Sequence, residues 1–192
     1  MRQTDLFGGP ALEPVGLAYQ ADLVTPAEAD ELAWFLSGLS FAPFDFHGHL
    51  ARRQVASFGW RYDYGRRLVR EAPPIPDELF PLRARCAAFA RRPAERFEQV
   101  LINLYGPGAG IGWRRDKPQF DEVVGVSLLA PCAMRFRQRS GTGWRRRILR
   151  LEPRSVYLLS GPARWDWEHS ISPLTTRRYS ITFRSRAVAA AA

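Results

Sequence analysis

The chain has 192 residues, 46% hydrophobic, 12% aromatic and 24% charged, with a formal net charge of +9. That length suits one domain burying about 70% of its unfolded surface, and the composition excludes a disordered chain. No apolar run approaches the roughly 18–20 residues of a membrane span. The opening MRQTDLFGG lacks a secretory apolar stretch, and Cys86 and Cys132 form neither a C-x-x-C pair nor a disulfide framework. The expectation is a soluble, cytoplasmic monomer with reduced thiols. Lys117 is the only lysine, so the positive charge is carried by arginine. Arginine forks onto phosphates, and a basic surface attracts nucleic acid. A GC-rich coding sequence accounts equally for arginine in place of lysine, though not for the charge balance.

Residues 1–20 hold Gly8, Gly9, Pro10 and Pro14 and read as an arm lying on the surface. A helix is predicted over 25–39. Thr25 is its N-cap, Pro26 its first residue and Glu28 the third-position partner of a capping box. Leu32, Phe35 and Leu36 recur at helical spacing, and Gly38 ends it. Residues 41–65 are aromatic and irregular, with a strand at 53–59. The prolines of 71-EAPPIPDELF-80 lead into a second helix at about 77–91. From there short apolar or alternating runs appear at 99–105, 122–130, 132–138, 145–151, 155–160 and 178–184, which reads as a sandwich or barrel. The fold class is α+β, helices first and then a double-sheet core. The tail AVAAAA reads as frayed.

Four stretches carry chemistry: 102-INLYGPGAGIGWRRDKPQF-120, 155-SVYLLSGPARW-165, 165-WDWEHSI-171 and 178-RYSITFR-184. Together they resemble the AlkB family of iron(II)- and 2-oxoglutarate-dependent dioxygenases, in detail from about residue 95 to 186. The resemblance implies a double-stranded β-helix (jelly-roll) core at 96–186. Residues 1–95 supply N-terminal helices and a substrate lid, all within one domain, 1–192. It also implies Fe(II), with 2-oxoglutarate and O₂ as co-substrates. The partner is nucleic acid with an alkylated base, in DNA or RNA, single-stranded or flipped out of a duplex. A methyl group on a base nitrogen is hydroxylated and lost as formaldehyde, while 2-oxoglutarate becomes succinate and CO₂.

Non-haem iron oxygenases hold Fe(II) with two histidines and one carboxylate. By resemblance Asp116 is the carboxylate and His169 the distal histidine. The first histidine position holds Arg114, which has no lone pair to offer a metal. Arg114 stands there through an engineered or accidental change, through natural loss of metal, or with His47 or His49 reaching in as replacement. The co-substrate residues implied are Asn103, Tyr105, Arg178 and Arg184. The two arginines are six apart and share a strand face.

Substrate residues implied are Arg53, Phe58, Trp60, Tyr62 and Tyr64, as a base sandwich. The same period-two aromatics are equally the packed face of a hairpin. Trp165 and Trp167 wall the site or fill the core, and 145-RRR-147 touches phosphate or guards a strand edge. Two competing functions stay open: a catalytically inactive nucleic-acid-binding protein, and a protein-directed 2-oxoglutarate oxygenase.

Overall fold

The computed structural model describes residues 13–46, 49–63 and 68–187. The N-terminal helix forms as its capping residues dictate. α1 (Pro26–Ser37) begins at N-cap Thr25, the reciprocal Thr25–Glu28 capping box is made, and Gly38 closes it. α2 (Phe80–Ala90) follows a short 3-10 turn at Asp77–Leu79 and ends at Arg91, whose φ of 55° turns the chain out of the helix. The apolar residues of these helices, Leu36, Leu82, Cys86 and Phe89, are buried in one cluster with a sheet face.

The rest is antiparallel sheet. β1 (Leu17–Gln20), β2 (Ala42–Phe46), β3 (His49–Phe58), β6 (Phe97–Tyr105), β8 (Phe120–Leu128), β11 (Val156–Leu159) and β13 (Arg178–Arg186) form a seven-stranded sheet in the order β1-β11-β8-β13-β6-β3-β2. β7 (Ile111–Arg114), β9 (Cys132–Ser140), β10 (Gly143–Leu151) and β12 (Glu168–Ile171) form a four-stranded sheet in the order β10-β9-β12-β7. β4 (Trp60–Asp63) and β5 (Leu68–Glu71) pair alone, and α3 (Gly161–Trp165) is one turn between β11 and β12.

The period of two sorts side chains between layers. Val100, Ile102, Val124, Val126, Ile181 and Phe183 face the helices. Tyr105, Val123, Tyr157 and Leu159 face the smaller sheet, where they meet Met134, Phe136 and Ile171. Two facing sheets with helices on the outside of the larger one give the double-stranded β-helix expected. Gly125 is required because the Tyr157 ring of the neighbouring strand β11 lies across it: a Cβ there would lie 2.3 Å from that ring.

Two expectations are corrected. Residues 17–20 are no surface arm but edge strand β1, paired with β11, with Leu17 and Ala18 buried. The period-two aromatics read as one packed hairpin face are divided: Phe58 ends β3, while Trp60 and Tyr62 lie on β4, paired with β5, and the alternation does not run through. It breaks at Gly59, whose φ is 74° and whose missing Cβ lets the backbone pass against the Glu98 carbonyl. Among the described residues no helix is long and apolar enough to cross a membrane.

Candidate active site

Strand register brings the chemistry together. On β13, Arg178, Ser180, Thr182 and Arg184 alternate with the helix-facing residues, so both arginines point between the sheets. Arg178 stands opposite Tyr105 and Ser180 opposite Asn103 on β6. From the smaller sheet, His169 on β12 stands opposite Arg114 on β7. Asp116 follows two residues later, where β7 gives way to a loop.

Arg178 is fully buried, yet only its Nε has a hydrogen-bond acceptor, Ser127 Oγ at 3.1 Å. Its Nη1 and Nη2 are buried with no hydrogen-bond partner. Its guanidinium carbon lies 5.1 Å from the centre of the Tyr105 ring. Buried donors are nearly always satisfied, and a guanidinium fork matches a carboxylate. The residues present therefore fit one end of a dicarboxylate. Asn103 is buried on the same face. Burial pushes the Tyr105 phenol up from its ordinary value, against the pull of Arg178 and then Arg53.

Arg184 Nη2 lies 3.2 Å from Asp116 Oδ1, both side chains being 14% exposed. Burial alone would raise the Asp116 pKa. Arg184 above all, then His169, Arg164 and Arg114, outweigh it and hold the carboxyl at about 2. His169 is buried, and its pKa is lowered chiefly by that burial, with Asp116 opposing. The imidazole is therefore held toward its neutral form, the form that binds metal.

Arg164 has no place in the sequence reading. It is 2% exposed, and its Nη2 donates to the carbonyls of Lys117 (2.6 Å) and Phe120 (2.5 Å), pinning the loop that carries Asp116. A lone arginine in a five-residue helix gave no sequence signal for this clamp. Trp167 is core, and Trp165 is 39% exposed with Arg164 over its ring.

The expected substrate residues are not gathered at one place. Arg53 is buried and faces inward near Tyr105. Phe58 packs against the helix-side cluster, and Trp60 lies under the Arg186 guanidinium at 4.6 Å. Tyr64 and His47 lie outside the described residues, as do the side chains of Tyr62 and His49.

A family model for the 2OG-Fe(II) oxygenase superfamily matches residues 45–184. The chain belongs to that superfamily. Within it the chain is AlkB-like. It is 28% identical over 180 residues to the Alkylated DNA repair protein ALKBH8 homolog of Arabidopsis thaliana, covering 81% of this chain and 50% of that one. It is 32% identical over 123 residues to the Alpha-ketoglutarate-dependent dioxygenase AlkB of Escherichia coli, covering 58% and 56%. Three of the curated relatives carry ALKBH8 names, and the chain spans half or less of their lengths. Among solved structures, OsALKBH1 superposes with a TM-score of 0.67 at 19% identity, covering 92% of this chain and 99% of that one. A Pseudomonas putida prolyl-4-hydroxylase superposes at 0.61 and 14% identity, covering 90% and 93%.

This oxygenase family works with Fe(II) and 2-oxoglutarate, and the two fit this chain differently. The dicarboxylate meets unmatched donors on Arg178. Iron needs two histidines and a carboxylate, and the chain brings Asp116 and His169 together with Arg114 in register where a third donor belongs. Among the described residues no group of three histidine, cysteine, aspartate or glutamate side chains can hold a metal ion. The described residues do not fit a three-donor iron centre; His47 and the His49 side chain, the replacements weighed from the sequence, lie outside them.

Proposed function

We propose that this chain is an AlkB-type scaffold that binds 2-oxoglutarate and nucleic acid with alkylated bases, its oxidative demethylation strongly impaired by Arg114. The observation that supports the first half is the Arg178 guanidinium, buried with two unmatched donors. Arg178 takes one carboxylate of 2-oxoglutarate, and Asn103 and Tyr105 hydrogen-bond the same molecule. Arg184 holds Asp116 and, on the far side of the site, adds a second positive charge for the other carboxylate. In the family the co-substrate supplies the two electrons that, with those of the substrate, reduce O₂.

The second half rests on Arg114. Loss of a hydrogen-bonding partner behind a ligand already costs about 10–100-fold in metal affinity, and loss of the ligand costs more. A guanidinium in register with His169 adds a positive charge where a cation would sit. Relatives bear names for alkylated-DNA repair and for tRNA modification, so strands of both polymers belong in the assay.

The test is calorimetry with 2-oxoglutarate and with Mn(II), on this chain and on Arg114→His, followed by succinate release with Fe(II) and O₂ on methylated DNA and RNA oligonucleotides. Both proteins are expected to bind 2-oxoglutarate. Only Arg114→His is expected to bind Mn(II) tightly and to turn over, by more than about 100-fold over the parent chain. Equal Mn(II) affinity in both would overturn the impairment. Failure of both to bind 2-oxoglutarate would overturn the pocket.

A further inference from the structure

The four-stranded sheet has two faces, and the site described above uses only one. On β9, Cys132, Met134 and Phe136 point into the core, so Arg135, Arg137 and Arg139 point out. Register places Trp144, Arg146 and Ile148 of β10 opposite Arg139, Arg137 and Arg135 on that same outer face. Glu168 joins them from β12, opposite Arg137. On β7 Arg114 faces His169, so Trp113 faces outward. α1 and α2 pack on the other sheet and leave this face to solvent, with Ile148 72% exposed.

The outer residues are ordered. The Arg137 guanidinium carbon lies 4.4 Å from the Trp113 ring centre and 4.2 Å from that of Trp144, and its Nε donates to Glu168 at 2.6 Å. Arg139 lies over Trp144 at 5.2 Å. Among the described residues, Arg139 and Arg146 have no ion pair and are exposed. Protection of a sheet edge accounts for arginines on β10. It does not account for the Arg137 guanidinium of inner strand β9 lying between indoles from the two edge strands, Trp113 and Trp144.

We propose that this outer face is a second nucleic-acid surface, a track for the backbone of a single strand beyond the base in the site. It rests on the reading that nucleic acid is the partner, and it adds where the flanking strand lies. Single-strand tracks combine cations that follow phosphates with aromatic faces on which bases stack regardless of sequence. This face supplies the outward arginines Arg135, Arg137, Arg139, Arg146 and Arg150, the last paired with Glu152, against the Glu168 carboxylate, and two tryptophans. Arg137, bonded to Glu168, lies against both rings, with Arg135 over Trp113 and Arg139 over Trp144, so each indole is already flanked by the cations that would follow the phosphates. β7 is the edge strand of its sheet. Adjacent residues Trp113 and Arg114 face opposite sides of it, so a strand leaving the site over this edge meets Trp113 first.

The test is fluorescence anisotropy with labelled, unmodified oligo-dT and oligo-U of about 12 nucleotides, across salt from about 50 to 300 mM. Variants are Arg139→Gln with Arg146→Gln, and a matched loss of two charges on the helix side, Arg91→Gln with Arg154→Gln. The outer-face variant is expected to bind about tenfold more weakly at intermediate salt. Its slope of log affinity against log salt should fall by about 1.4, from roughly 0.7 per lost phosphate contact. Its 2-oxoglutarate affinity should match the parent's. Trp144→Leu should remove part of the tryptophan quenching that the oligonucleotide causes. An unmoved slope in the outer-face variant, or an equal fall in the matched variant, would overturn the proposal while leaving nucleic acid as partner. No binding of either strand by the parent at about 50 mM salt would overturn both.

Discussion

Arg184 and Asp116 form an ion pair of 3.2 Å between the sheets, each side chain 14% exposed. The pair sits where the AlkB-like relatives' resemblance places a metal-binding carboxylate, so in this chain Asp116 already has a cationic partner from the protein itself. Removing one partner of a shielded pair strands the other charge. Arg184→Gln is expected to destabilise the fold by about 1–3 kcal/mol, below the 3–5 typical of a fully buried pair because some solvent reaches this one. Arg184→Gln with Asp116→Asn should recover part of that loss. Urea denaturation of the two single variants and the double variant measures the coupling, and simple additivity of the two losses would show that the pair carries none.

Gly125 exists because Tyr157 lies across it. Gly125→Ala puts a methyl group 2.3 Å from the ring carbon Cζ, on a ring that is itself buried between the sheets. Overpacking of this kind costs typically about 1–3 kcal/mol, and the upper end is expected here. The ring also neighbours Arg178 and Tyr105, so 2-oxoglutarate affinity should fall with stability. Thermal melts and calorimetry on Gly125→Ala, alone and with Tyr157→Leu, check this. Relief by the second change is the expected result.

The elements legible in the sequence are those whose signal is local. α1 was marked by Thr25, Pro26, Glu28 and Gly38, and the structure uses all four at its ends. β6, β8, β9, β10, β11 and β13 fall where apolar residues run or alternate, within about two residues at most ends. β1 was illegible because four residues give no period, and its partner β11 lies some 140 residues on. β7 and β12 were illegible as strands for a different reason: each is four residues long and carries a candidate site residue, Arg114 or His169, in place of a hydrophobic pattern. The aromatic alternation of Phe58 and Trp60 misled because it spans Gly59, where the backbone turns through a positive φ that a sequence does not display. Arg178 and Arg184 were legible as co-facing from their spacing. That Arg184 closes on Asp116, and that Arg164 pins the loop beside it, are consequences of tertiary packing alone.

Stability should fall in acid in part through Glu28. The bonded Arg85 guanidinium first, and then the Thr25 backbone N–H, lower its pKa from 4.5 to about 2. A depressed folded pKa contributes stability that is complete above the unfolded value and is lost as pH falls toward the folded one. Glu28→Gln is therefore expected to be less stable than the parent at neutral pH, with the gap closing between about pH 4.5 and pH 2. Thr25→Ala removes the cap at the same helix end and should cost about 0.5–2 kcal/mol, with only the small part of that acid dependence that its hydroxyl's bond to the Glu28 carboxylate supplies. Urea midpoints at neutral, weakly acid and strongly acid pH separate the two. A gap for Glu28→Gln that stays constant down to about pH 2 would show that the ion pair contributes nothing.

Among the described residues, Ser127 anchors the Arg178 side chain: its hydroxyl accepts from Nε at 3.1 Å, and it is itself fully buried. That bond fixes the plane of the guanidinium and so the direction in which Nη1 and Nη2 face. Ser127→Ala leaves a third buried donor unmet, at a cost of about 1–3 kcal/mol. It should also weaken 2-oxoglutarate binding by about tenfold, since a tilted fork no longer meets a carboxylate with two parallel bonds. Arg178→Lys keeps the charge but loses the fork, and should weaken binding further. If calorimetry finds 2-oxoglutarate affinity unchanged in Arg178→Lys, the dicarboxylate is not held at this arginine. If Ser127→Ala alone is silent, the Tyr105 ring beneath the guanidinium suffices to hold its plane.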